Sequence, residues 1–174
     1  MLVSKQIADF LTLSRSILSF LFVWFGKDND PQTLPYVIFL LLICWISDSL
    51  DGPLARRSRI QYQNIIGEND IFADLMVATG TTIYLMMTNY LNSYIGASFI
   101  IIFFYLFMRF GYKGSLGMLY QPIIYLYFIW VAVLYAPDLA IWLLIYIVLI
   151  TVFSWKRLLN EQIPRFLKGF KELN

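Results

Sequence analysis

Long apolar stretches separated by short polar segments dominate the hydropathy pattern of the chain. Each stretch approaches the roughly 20 apolar residues that an α-helix needs to cross a bilayer. The pattern therefore predicts six membrane-spanning helices. They run from about Phe10 to Phe25, Tyr36 to Leu50, Asp70 to Tyr90, Tyr94 to Phe110, Leu119 to Tyr135 and Leu139 to Trp155.

The overall composition agrees with a membrane protein. The chain is 60% hydrophobic and 14% charged, whereas a soluble domain has roughly 25% charged residues. We predict an all-α integral membrane protein whose residues 1–174 form a single membrane domain in the lipid bilayer, with no nucleic-acid partner. The first apolar run leads to Gly26 and Lys27 without a small-residue cleavage site, so no cleavable signal is expected.

The basic residues predict the orientation of the helices. With six spans both termini share one side, and twelve Lys and Arg residues fall on that side against Lys27 alone on the other. The positive-inside rule then places both termini in the cytoplasm. The tail of about residues 156–174 mixes apolar and basic side chains and is expected to lie along the anionic membrane surface. A solvated basic tail is the alternative, because Pro164 interrupts a continuous helix there.

Four carboxylates are concentrated between the second and third predicted spans. Asp48 and Asp51 are three residues apart, and Asp70 and Asp74 are four apart. On a helix either spacing places both side chains on one face. Because the second span ends where it reaches the cytoplasm and the third begins there, we expect all four carboxylates to converge at one depth.

Carboxylates that converge need protons or cations. Two of them about 5 Å apart repel by roughly 3 kcal/mol at an effective dielectric constant near 20. The chain has no histidine and a single cysteine, Cys44, so a metal would be bound through oxygen, as Mg²⁺, Mn²⁺ and Ca²⁺ are. Two divalent ions would neutralise four carboxylates and would suit phosphoryl transfer. Gly52 lets a ligand approach the backbone, and Arg56 offers a planar fork for phosphate.

The same stretch resembles the CDP-alcohol phosphotransferase family, whose motif is D-x-x-D-G-x-x-A-R followed by G-x-x-x-D-x-x-x-D. The matching residues are Asp48, Asp51, Gly52, Ala55, Arg56, Asp70 and Asp74. Gly67 stands three residues before Asp70, where the family has its glycine four before, and Ile66 takes that place. We expect a remodelled turn with the aspartates kept. Leu11, Thr12 and Arg15 also resemble the family's P-N-x-L-T-x-x-R at the first span.

The resemblance implies transfer of a phosphatidyl or related group from CDP-diacylglycerol or a similar CDP-linked lipid to an alcohol, with release of CMP. It implies that Asp48, Asp51 and Asp70 hold Mg²⁺ or Mn²⁺, with two ions expected. Asp74 would also face the metal site and act as the general base on the acceptor hydroxyl.

The resemblance also assigns the nucleotide site and the assembly. Gly52, Ala55 and Arg56 would line the CDP site, and Thr12 is a further candidate for the same pocket. The resemblance implies a homodimeric enzyme of phospholipid biosynthesis. The predicted topology places its active site on the cytoplasmic side.

The acceptor alcohol is left open by the sequence. Arg109 and Lys113 are candidates for binding a phosphate on the acceptor, or they serve only as positive-inside anchors. Family members with phosphorylated acceptors often carry Lys or Arg just after the last aspartate, whereas Leu75 and Met76 follow Asp74 here. This difference disfavours glycerol 3-phosphate and inositol phosphate relative to serine, choline, ethanolamine or inositol.

Three other functions compete with a phosphotransferase. An ion transporter would place its carboxylates near the bilayer midplane and show internal repeats, and the chain has no such repeat. A membrane prenyltransferase would be larger and would lack Gly52, Ala55 and Arg56 after its aspartates. A catalytically inactive family member acting as a membrane partner is the third alternative.

Two further expectations concern residues near the motif. Glu68 and Asn69 are expected in a solvated loop, with a role beside the metal as the alternative. Gly80, inside the third span, is expected to allow two helices to pack closely.

Overall fold

The described residues are all organised around α-helices. A computed structural model describes residues 2–57, 70–111, 114–164 and 166–167. The helices are α1 (Leu2–Gly26), α2 (Leu34–Arg57), α3 (Asp70–Met87), α4 (Ser93–Phe110), α5 (Gly114–Tyr135) and α6 (Pro137–Arg157). A 3₁₀ turn at Pro31–Thr33 precedes α2, and a π-helical turn at Leu158–Gln162 follows α6. The predicted all-α fold is confirmed for this part of the chain.

Local sequence signals determine where several of these helices begin and end. The side chain of Asn92 accepts a hydrogen bond from the Tyr94 N–H at 2.9 Å and caps the start of α4. Gly111 ends α4 with a φ of +76°, a value that glycine adopts without a Cβ clash. Pro137 begins α6, where the missing N–H of proline costs no helical hydrogen bond.

Five of the described helices are long and apolar enough to cross a membrane. Their apolar windows are Asp9–Gly26, Pro31–Leu50, Ser93–Phe110, Ser115–Tyr135 and Pro137–Lys156. The apolar part of α3 is shorter and runs over Ile71–Met87. Large apolar side chains also cover the outer surface, among them Phe20, Trp24, Phe104, Trp130 and Phe153, as is typical of helices that contact lipid.

Helix α3 is the central element of the packing. It contacts α1, α4 and α5, while α2 contacts α1 and α6. One buried cluster joins α1, α2, α3, α5 and α6 through residues such as Phe22, Leu41 and Leu85. A second joins α3, α4 and α5 around Leu75 and Phe107. Because α3 contributes to both clusters, its position is fixed relative to the helices on either side of it.

Helices α1 and α3 pack closely against each other at Gly80. A Cβ atom added to Gly80 would lie 2.7 Å from the backbone oxygen of Ser19, which is shorter than a normal van der Waals contact. The sequence prediction that Gly80 permits close helix packing is confirmed. Since Arg15 is one helical turn before Ser19 on α1, this crossing also determines how near Arg15 comes to α3.

We expect Gly80→Ala to destabilise the protein even though alanine favours helix formation. Its methyl group would meet backbone atoms of α1, which cannot rotate away, and overpacking of this kind costs about 1–3 kcal/mol. Gly117→Ala on α5 is the matched control, because a Cβ there would lie 3.3 Å from the Ile71 side chain and 4.0 Å from the Gln121 side chain, with no backbone atom of another helix in the way. Thermal unfolding of both variants in detergent measures the difference. Equal stability of the two variants would contradict the proposed close crossing.

Candidate functional site

A buried arginine joins three helices at the predicted carboxylate cluster. Arg15, on α1, is only 1% exposed. Its Nη1 donates a hydrogen bond to Oδ1 of Asp48 on α2 at 2.6 Å and another to Oδ1 of Asp74 on α3. Because one nitrogen bonds to both carboxylates, the two accepting oxygens lie within about two hydrogen-bond lengths of each other, or roughly 6 Å. The structure therefore brings Asp48 and Asp74 together, as the sequence predicts.

The carboxylates of this trio can be reached by a ligand, whereas the guanidinium cannot. The side chain of Asp48 is 49% exposed and that of Asp74 is 23% exposed. Charged groups inside membrane proteins are costly unless they are paired, and they usually serve a function. Here the charges are paired, because Arg15 forms ion pairs with both carboxylates. Since the carboxylates are also accessible, they are candidates for a functional role.

An open cavity of about 330 Å³ is lined by all three charged residues. Helices α1, α2, α3, α5 and α6 all contribute to its walls. Its neutral polar lining comes from Ser49, Gln121, Tyr125 and Tyr146. Its aliphatic lining comes from Val77, Leu126, Ile129, Ile147 and Ile150. The cavity thus combines a charged region with an apolar region, which suits an amphiphilic ligand.

Hydrogen bonds and ring contacts fix the wall of the cavity beside Asp48. The Tyr146 hydroxyl on α6 donates to the backbone oxygen of Trp45 at 2.6 Å and is also hydrogen-bonded to the Ser49 hydroxyl. The Trp45 ring stacks on Tyr146 and meets Tyr125 edge-on, with centroid separations of 5.9 and 5.2 Å. These contacts anchor the turn of α2 that carries Asp48 to both α5 and α6.

The remaining predicted site residues occupy the adjoining helix ends or lie outside the described residues. The backbones of Asp51, Gly52, Ala55 and Arg56 belong to the last turns of α2, and that of Asp70 begins α3. The positions of the side chains of Asp51, Ala55, Arg56 and Asp70, and the whole of Gly67, Glu68 and Asn69, lie outside the described residues. Thr12 is buried on α1, three residues before Arg15. Its role in a nucleotide pocket stays a prediction.

The donor set fits a hard divalent cation. Two accessible carboxylates, Asp48 and Asp74, line the same cavity. Asp51 follows Asp48 by three residues on α2, and Asp70 precedes Asp74 by four residues on α3. Oxygen donors of this kind suit Mg²⁺ and Mn²⁺. Among the described residues no group of three or more potential metal-binding side chains is found, and the side chains of Asp51 and Asp70 are outside that set.

Sequence reasoning did not identify two features of the site. Arg15 entered as part of a motif resemblance and as one of the basic residues that set the orientation, although a basic residue inside a predicted span, as Arg15 is, is itself a signal of a paired, functional charge. Tyr146 lies 97 residues after its partner Ser49. No local pattern marks it, because tyrosines at membrane interfaces are common.

Comparison with known proteins yields one match. Residues 5–153, most of the chain, match the model of a family described as CDP-alcohol phosphatidyltransferase. The chain matches no curated protein and no solved structure.

Proposed function

The chain belongs to the CDP-alcohol phosphatidyltransferase family, and we propose that it transfers a phosphatidyl or similar substituted phosphoryl group from CDP-diacylglycerol or a related CDP-linked lipid to a small polar alcohol. The observation that carries the proposal is the convergence of Asp48 and Asp74, from opposite ends of the family motif, on one cavity among apolar helices. Family membership supports the transferase activity in general, and the cavity supports a lipid-linked donor.

The proposed reaction replaces the phosphoanhydride bond of the CDP-linked donor with a phosphoester bond to the acceptor. The acceptor oxygen forms a bond to the lipid-linked phosphorus, and the bond from that phosphorus to CMP breaks. The acceptor proton passes to Asp74, and CMP leaves with the electrons of the broken bond. Asp74 suits the role of general base because its carboxylate lines the cavity and is partly exposed, and a base must come within hydrogen-bond reach of the proton it removes.

The family is generally dependent on divalent metal, and we assign the metal-binding role to Asp48, Asp51 and Asp70, with Asp74 facing the same site. Bound Mg²⁺ or Mn²⁺, expected as two ions, would stabilise negative charge on the phosphates. Gly52, Ala55 and Arg56 are proposed to line the CDP site from the end of α2. Thr12, on α1, is proposed as a further residue of the same pocket.

The apolar half of the cavity is the proposed place for part of the lipid donor. Leu126 and Ile150 line the cavity, and Leu126 is also exposed on the outer surface of α5. A hydrocarbon chain could therefore extend from the carboxylates into surrounding lipid without leaving apolar surface. This arrangement would explain why head-group chemistry is carried out among membrane-spanning helices.

We propose the predicted topology for this enzyme, with six spans and both termini in the cytoplasm. Under this topology α3 is the third span, and the ends of α2 and α3 that carry the motif face the cytoplasm. The surface-lying tail of about residues 156–174 and the homodimer are part of the same proposal. The positive-inside distribution of Lys and Arg supports the orientation.

We propose an acceptor without a phosphate group. Arg109 is exposed, with its guanidinium 5.5 Å from the Phe110 ring, and it does not line the cavity. Arg15 is the cation that the cavity presents among the described residues, and it is already bonded to two carboxylates. Serine, choline, ethanolamine and inositol are therefore the first acceptors to test.

The proposal is tested by CMP release from purified protein supplied with CDP-diacylglycerol, Mg²⁺ and one alcohol at a time. We expect release with one of these acceptors and little with the others. Release only with glycerol 3-phosphate or inositol phosphate would refute an acceptor without a phosphate group. An absence of both CMP release and CDP binding would refute the phosphotransferase and favour a transporter or a membrane partner.

A further inference from the structure

Arg15 has a feature that the proposed reaction does not use. It is buried, although the two carboxylates that it contacts are accessible. It also lies on α1, well before the aspartate motif in the sequence. A guanidinium keeps its charge inside proteins, and burying a charge is costly unless it is well paired. The buried charge of Arg15 is therefore expected to have a role in the charge balance of the site.

The charge balance of the trio depends on Arg15. Asp48 and Asp74 each carry one negative charge, and their Oδ1 atoms bond to the same nitrogen. Without Arg15 two like charges would face each other across a few ångströms in a partly desolvated cavity, where repulsion is stronger than in water. With Arg15 the net charge of the trio falls from −2 to −1. A bound divalent cation would give similar relief.

We propose that Arg15 is a built-in counterion that holds Asp48 and Asp74 together in the metal-free protein. Arg15 is thus a positioning residue and has no direct part in the reaction. It allows the two helices that carry the motif to pack before any cation binds. The inference rests on the proposed function in one respect, the assumption that these carboxylates bind a metal. Their pairing with Arg15 does not depend on that assumption.

The first test is thermal unfolding of the purified full chain in detergent with EDTA. We expect Arg15→Gln to lower the melting temperature by about 4 °C or more, because glutamine can donate a hydrogen bond but carries no charge. Arg15→Lys should recover part of this loss. Lys27→Gln is the matched control for loss of one positive charge, since Lys27 lies directly after the last residue of α1, beside Trp24.

A double-mutant cycle separates charge from packing. Any packing defect of Arg15→Gln is present whether residue 74 is Asp or Asn, so only the electrostatic coupling remains in the cycle. We expect Arg15→Gln to cost less in an Asp74→Asn background than in the wild type. The coupling to Asp48 should be smaller than that to Asp74, because the Asp48 side chain is 49% exposed and that of Asp74 is 23% exposed.

Additive effects in this cycle would overturn the inference, as would an Arg15→Gln variant as stable as the wild type in EDTA. If Arg15→Gln fails to fold, folding of Arg15→Gln/Asp74→Asn would support the counterion role. Failure of the double variant to fold as well would assign Arg15 a packing role and overturn it.

A separate measurement with Mn²⁺ distinguishes this inference from the proposed function. Electron paramagnetic resonance measures free Mn²⁺, and we expect Arg15→Gln to bind it at least severalfold more tightly than the wild type, because a positive charge next to the ligands has been removed. Mn²⁺ should also restore much of the lost melting temperature. Weaker binding by the variant would contradict the counterion role. If the cycle shows coupling but the wild type binds no Mn²⁺, the counterion role of Arg15 is supported and the metal-dependent function is refuted.

Discussion

Asp74→Asn is expected to reduce CMP release by about 10²- to 10⁴-fold, the usual contribution of general acid–base catalysis. Asparagine has nearly the same shape as aspartate, and its side-chain oxygen can still accept the hydrogen bond from Arg15. It cannot take a proton from the acceptor hydroxyl. The variant should therefore keep its fold and its binding of CDP-diacylglycerol while losing turnover. Parallel assays of CMP release and of CDP binding measure the two effects.

The control for this substitution is Asp138→Asn, which removes a carboxylate from the exposed first turn of α6. It should leave CMP release unchanged. Wild-type turnover by Asp74→Asn would show that another group acts as the base. Loss of CDP binding together with turnover would instead assign Asp74 to holding the nucleotide or its metal.

The hydropathy pattern predicted the presence of the helices more accurately than it predicted their first and last residues. The predicted first span begins at Phe10, whereas α1 begins at Leu2, because hydropathy detects the apolar part of a helix and misses its polar extension. For the same reason α2 continues past Leu50 to Arg57 and includes the first half of the motif. The predicted third span ends at Tyr90, whereas α3 ends at Met87, and Asn89 beyond it has a φ of +58°.

The convergence of Asp48 and Asp74 followed from the sequence because it needs only two antiparallel helices and a short connection. The contact of Arg15 with both carboxylates did not follow from the sequence, since it depends on how α1 packs against α2 and α3. That packing is set by the close approach at Gly80 and by buried contacts such as those of Phe22. Tertiary contacts of this kind are specified by shape and volume across the whole core, which a linear pattern does not encode.

The wall of the cavity illustrates the same limit. Tyr146 contacts Ser49 and the Trp45 backbone, yet the three residues are distributed between two helices distant in sequence. From composition alone the aromatic rings of Trp45 and Tyr146 are equally well explained as an interfacial belt. Only the packing of α6 on α2 shows that they form one side of the candidate site.

Removal of divalent metal is expected to abolish CMP release, and excess Mg²⁺ is expected to restore it. A substrate diphosphate carries negative charge into a cavity that already presents Asp48 and Asp74. Two unit charges of like sign about 5 Å apart repel by roughly 3 kcal/mol at an effective dielectric constant near 20. Arg15 can offset only part of this, because it carries one positive charge for two carboxylates. We therefore expect catalysis to need further cations.

Chelation should stop the reaction without unfolding the protein, because Arg15 already holds the carboxylates together in the absence of metal. The measurement is CMP release in EDTA, then at increasing free Mg²⁺, with thermal unfolding followed in the same samples. Asp48→Asn should need a higher Mg²⁺ concentration for half-maximal release, whereas Asp138→Asn should follow the wild-type curve. Full turnover in EDTA would refute the metal-dependent mechanism. Irreversible loss of both fold and activity in EDTA would instead mean that the metal holds the structure together and that Arg15 does not suffice as its counterion.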